Sequence, residues 1–73
     1  MDRAKLEGEP IAVPLVVLEG IEALRQTGLV NMIGRDDVVT ALRLMGRYDA
    51  ELWVRANQTA YAEGIFRGFV ADP

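Results

Sequence analysis

The chain has 73 residues and a formal charge of −3, from eleven acids against eight bases, and it contains neither cysteine nor histidine. That length allows one small domain, and the missing residue types exclude disulfides, thiolate zinc sites and a cysteine nucleophile, together with the commonest metal ligand and the commonest general base near neutral pH. The acidic balance argues against a strong non-specific grip on nucleic acid, and no apolar run reaches the roughly 18 residues a membrane span needs, so the expectation is a soluble, cytoplasmic domain.

Hydrophobic residues make up 51% of the chain, but nine of them are alanine and bury little each. A chain this short buries only about 60% of its unfolded surface. With no disulfide or metal staple, self-association or docking on another protein would add the missing burial.

Residues 1–13 show no clear period. Met1 to Glu9 is charged and leads into Pro10, and Ile11, Ala12 and Val13 sit between two prolines. This stretch is predicted to be an arm, extended or flexible. Acids interrupt it, so it does not read as a signal peptide.

Pro14 suits the first position of a helix. From Leu15 to Thr27, Val17, Leu18, Ile21 and Leu24 share one face, with Glu19, Glu22 and Gln26 opposite. Gly28 fits the left-handed stop position. The apolar arc is wide, which makes Leu15, Val16 and Ala23 candidates for a second contact. Leu29 to Arg35 reads as a connector, with Asn31 or Gly34 as the cap of a second helix from about Arg35 to Met45. Asp36 and Asp37 would lie in its first turn, where the helix dipole favours acids. Val38, Ala41, Leu42 and Met45 lie together at helical spacing, and Gly46 ends the helix. Asp49 is a candidate cap for a third helix over 50–67, whose apolar arc holds Trp53, Val54, Ala56, Ala60, Tyr61, Gly64 and Ile65. Ala56, Ala60 and Gly64 are small residues four apart, a line along which another helix could approach closely. Gly68 stops the helix. The predicted fold is therefore all-α, a compact three-helix domain over 14–73 with an extended N-terminal arm over 1–13.

Asn57 falls in the middle of the third helix's apolar arc, and a buried amide needs hydrogen-bond partners. It is predicted to be a structural tie to the connector backbone near Asn31; the alternative is a polar contact in a binding groove. Trp53 and Tyr61 are large and amphipathic, suited either to an interface or to the edge of a small core. Leu44 points away from the Val38, Leu42 and Met45 face, and Val39 lies at that face's edge. Trp53, Tyr61, Val39 and Leu44 are the candidate partner-binding residues.

Arginine supplies seven of the eight bases. Arg43, Arg47 and Arg55 fall around the turn between the second and third helices, a superficial likeness to a helix-turn-helix. Glu51, Glu63, Asp36 and Asp37 interrupt any basic stripe there. Asp36 and Asp37 diverge by about 100° on a helix, serine is absent, and Gly34-Arg35-Asp36-Asp37 lacks the spacing of a phosphate loop. No catalysis, cofactor, metal or small-molecule substrate is expected.

The pattern Arg25-x-x-Gly28-x-x-Asn31-Met32, then Val38, then Asn57-x-x-x-Tyr61-x-x-x-Ile65-x-x-Gly68 resembles a family of short bacterial and phage proteins catalogued as domain of unknown function 5049. The likeness spans about residues 17–68. It marks Arg25, Asn31 and Asn57 as structural polar positions. The family often has an acid where this chain has Gly34, and the first 13 residues fall outside the likeness. No activity comes with it. What it implies is context: a small accessory protein, often encoded by a phage or prophage, for which inhibition of a host defence system is a candidate role. The leading expectation is a protein-binding accessory factor whose partner is another protein or a second copy, a homodimer among the options. The alternatives are a small dimeric helix-turn-helix regulator and a structural component of a phage assembly.

Overall fold

The computed structural model describes residues 9–72. The expected arm over residues 1–8 lies outside them, as does Pro73. The described residues form β1 (Ile11–Val13), α1 (Leu15–Thr27), α2 (Arg35–Leu44), α3 (Tyr48–Ala56), α4 (Gln58–Arg67) and β2 (Phe69–Ala71). The fold is mainly α, with four helices instead of three and a small parallel strand pair.

The first helix follows its local signals closely. Pro14, at φ −55° and ψ 145°, caps α1 from outside, and its carbonyl accepts hydrogen bonds from the Val17 and Leu18 N–H groups at 2.9 and 3.0 Å. Gly28 stops α1 at φ +66°, a backbone state that costs other L-residues energy. Gly34 precedes α2 in an extended conformation, with Asp36 and Asp37 in the first turn. At the far end the Gly46 N–H donates to the Arg43 carbonyl and the Arg47 N–H to the Leu42 carbonyl. With Gly46 at φ +75°, this is a Schellman ending. It closes α2 at Leu44, so Met45 lies in the turn, partly exposed, and not on the buried face predicted for it.

The predicted third helix over 50–67 is two helices. Asn57, at φ −128° and ψ 56°, ends α3 and starts α4. Asp49 lies inside α3, and Arg47 takes the capping position expected of it. The break also dissolves the line of small residues. Gly64 is buried, but the Phe69 ring, not a neighbouring helix, occupies the space where its side chain would be.

Ile11–Val13 is not a loose arm. It pairs in parallel with Phe69–Ala71, Ile11 opposite Phe69 and Val13 opposite Ala71. The Ile11 N–H donates to the Gly68 carbonyl at 2.9 Å and the Asp72 N–H to the Val13 carbonyl at 2.7 Å. Val13 is fully buried, so the predicted boundary between residues 13 and 14 divides one packed unit.

The core draws on β1 and all four helices: Val13, Val17, Ile21, Leu24, Val38, Leu42, Ala50, Val54 and Tyr61. A β-carbon added at Gly20 would sit 2.7 Å from the Ala50 β-carbon. That glycine is what lets α1 and α3 come together, because almost any side chain would push them apart.

Candidate functional site

The connector between α1 and α2 carries the most exposed apolar side chains near any concavity. Thr27 and Gly28 set its start: the Thr27 hydroxyl donates to the Leu24 carbonyl at 2.7 Å and accepts from the Leu29 N–H at 3.2 Å. Asn31 shapes its middle, its Oδ1 accepting from the Ile33 N–H at 3.0 Å. These turns leave Leu29 84% exposed and Ile33 65% exposed, while Val30 and Met32 pack against the core.

One groove lies on each side of the connector. The first, about 230 Å³, is lined by Ile33, Arg35, Gln58, Tyr61, Ala62, Ile65 and Phe66. Phe66 stands at its edge, 82% exposed. The second is shallower and lined by Leu29, Val30, Asn31, Asp37, Thr40, Ala41 and Leu44. Leu44 is also 82% exposed. Leu29, Ile33, Leu44 and Phe66 are thus large, apolar and wet on the two flanks of one loop, the kind of surface that gains from being covered.

The floor of the first groove is tied down by Tyr61. It is 2% exposed, and its hydroxyl donates to the Met32 carbonyl at 2.5 Å. Burial pushes the phenol's pKa up to about 12, against a smaller opposing pull from the Arg25 charge. The phenol therefore stays a neutral donor through the physiological range. This is the tie to the connector that was expected of Asn57. Asn57 instead donates its amide to the Trp53 carbonyl at 2.9 Å. It is the hydroxyl one turn further on, on α4, that reaches the connector.

Of the candidate partner-binding residues, only Leu44 stands fully in solvent on this face. Tyr61 belongs to the core. Trp53 is partly buried and meets the Phe69 ring edge-on at 6.2 Å, and Phe69 in turn stacks on Tyr61 at 5.8 Å. Val39 is partly buried against the core. Arg25 makes an exposed ion pair with Glu22 at 3.4 Å. Leu29, Ile33 and Phe66 were not among the residues singled out. Leu29 and Ile33 sit in a loop with no period, and Phe66 lies outside the third helix's predicted apolar arc.

Glu51 was also missed. It is 5% exposed, and its Oε2 accepts from the Arg43 Nε and Nη2 at 2.9 and 2.6 Å, with Arg55 Nη1 at 3.6 Å. The carboxylate holds the Arg43 guanidinium more firmly protonated, through hydrogen bonding first and charge second. Two of the three arginines that suggested a helix-turn-helix are therefore partnered by one acid.

Among the described residues no three His, Cys, Asp or Glu side chains converge to hold a metal ion, and no helix is long and apolar enough to cross a membrane. Comparison with known protein families, with curated proteins and with solved structures found no match for this chain.

Proposed function

We infer that this is a non-catalytic protein-binding module that docks a partner through the connector face. The observation that supports the reading is the grouping of Leu29, Ile33, Leu44 and Phe66, all at least 65% exposed, beside two apolar-lined grooves. Aromatic and aliphatic anchors of this kind carry most of the energy of protein interfaces. The fitting partner presents apolar side chains that fill both flanks of the loop, with polar groups at the rim to meet Arg35 on one side and Asp37 on the other.

The resemblance described above supplies a context for that role: an accessory protein of a phage or prophage acting on a host protein in the bacterial cytoplasm, with inhibition of a defence system as its specific form. The helix-turn-helix alternative is weakened by the Glu51 carboxylate, which engages Arg43 and Arg55 and offsets one of their two charges where a DNA-binding face needs free cations. Affinity capture from bacterial lysate separates the readings. Wild-type protein is expected to retain one stoichiometric protein, and Phe66→Asp together with Leu44→Asp is expected to release it with the fold intact by circular dichroism. Recovery that depends on DNA, and that fails in the Arg43→Ala, Arg47→Ala, Arg55→Ala triple variant, would overturn the proposal.

A further inference from the structure

The break at Asn57 has only a partial local cause: the Asn57 amide donates to the Trp53 carbonyl at 2.9 Å, within the helical ladder. From Val54 to Tyr61 the sequence is Val-Arg-Ala-Asn-Gln-Thr-Ala-Tyr, with no glycine, proline or serine. Sharp interruptions in helices sit at such residues or where a side chain enters the ladder. Here tertiary contacts add to the asparagine's own. The Tyr61 hydroxyl reaches back to Met32, the Phe69 ring packs between Tyr61 and Trp53, and β2 pairs with β1. Released from those contacts, 48–67 reads as one continuous helix. Straightening would restore backbone hydrogen bonds that two facing helix ends leave unmade.

We propose that the chain forms a dimer by exchanging α4 and β2 between two copies. Asn57 is the hinge, bent in the monomer and helical in the dimer. The contacts that bend it close equally well within one chain or between two: Tyr61 on Met32, and Phe69–Ala71 on Ile11–Val13. A one-residue hinge held bent by contacts that a second copy can equally supply is the arrangement that invites such an exchange. The partner of this element is therefore a second copy of the chain. In the dimer the first groove is composite, with Ile33 and Arg35 from one copy and Tyr61 and Phe66 from the other. The exchange requires none of the exposed side chains of the connector face, so it stands or falls separately from docking there.

Three proteins test it by light scattering across a concentration series up to the millimolar range. Wild type is expected to show a dimer fraction that grows with concentration. Asn57→Ala raises helix propensity at both hinges and removes the amide that caps the Trp53 carbonyl, so the dimerisation constant is expected to rise about tenfold. Gln58→Pro keeps the bent form, since proline is welcome at a first helical position but clashes with the carbonyl four residues back in a continuous helix. It is expected to remain monomeric while folded. The chain has no cysteine, so Ala12→Cys with Val70→Cys, opposite each other in the strand pair, gives a clean trap. Paired strands lie about 4.8 Å apart, within disulfide reach. After separation of the species and oxidation, the dimer is expected to run as a covalent dimer in denaturing gels and the monomer as a monomer. An Asn57→Ala protein that stays monomeric at millimolar concentration, or a dimer whose disulfides all form within single chains, would overturn the exchange.

Discussion

The two interruptions in the second half of the chain look alike and arise differently. Between α2 and α3 the chain turns through Gly46, whose left-handed backbone and two hydrogen bonds back into α2 form a complete local stop. Between α3 and α4 the chain bends at Asn57, where a single amide bond to the Trp53 carbonyl is the local tie and the larger contacts that hold the bend come from elsewhere in the fold. A locally encoded turn should persist when tertiary contacts fail, while a bend held mainly by them should relax.

Phe69→Ala is expected to have the largest effect. It removes the ring lodged against Trp53, Tyr61 and Gly64, at a cost of about 3 kcal/mol in urea unfolding. NMR secondary shifts should then show Asn57 drifting towards helix while the turn at Gly46 stays unchanged. Tyr61→Phe is expected to cost about 1–2 kcal/mol by leaving the Met32 carbonyl without its donor.

The same phenol sets a pH dependence. Its folded pKa is raised to about 12 from an ordinary value of 10. The stability it contributes is thus complete below pH 10 and is lost as pH climbs towards 12. Wild type should lose stability across that window, and Tyr61→Phe should flatten the loss; equal slopes would mean that the phenol does not couple to folding.

Gly46→Ala is expected to cost about 1–2 kcal/mol, because alanine at φ +75° is strained. That loss should leave the bend at Asn57 in place. Asn57→Ala, measured in dilute monomer, is expected to cost least, about 0.5–1 kcal/mol for the lost amide bond to Trp53. A cost at Asn57 exceeding that at Gly46 would reverse the contrast between the two turns.

The same contrast explains what could be read from the residues alone. The bounds of α1 were legible because Pro14 and Gly28 act within their own neighbourhood, and the end of α2 was legible within one residue because Gly46 does too. The division of 48–67 was not, since it depends on Met32, far away in sequence, and on Phe69, which folds back onto the helix only after the turn at Gly68. Neither was the strand pair. Three residues are too few to show an alternating pattern, and Ile11 meets Phe69 only after four helices have intervened. Glu51 looked like any surface acid, because its burial needs arginines from two different helices. At the candidate site Leu44 was legible from its helical phase. Leu29 and Ile33 were not, since exposure in an aperiodic loop leaves no pattern.

The parallel pairing of Ile11–Val13 with Phe69–Ala71 also sets an order of events as the chain folds. Joining these segments closes a ring that contains all four helices, so among the described residues it carries the largest loop-closure penalty. The helices can form and collapse first, and the clasp between the two strands comes late. Substitutions in either strand should therefore speed unfolding far more than they slow folding.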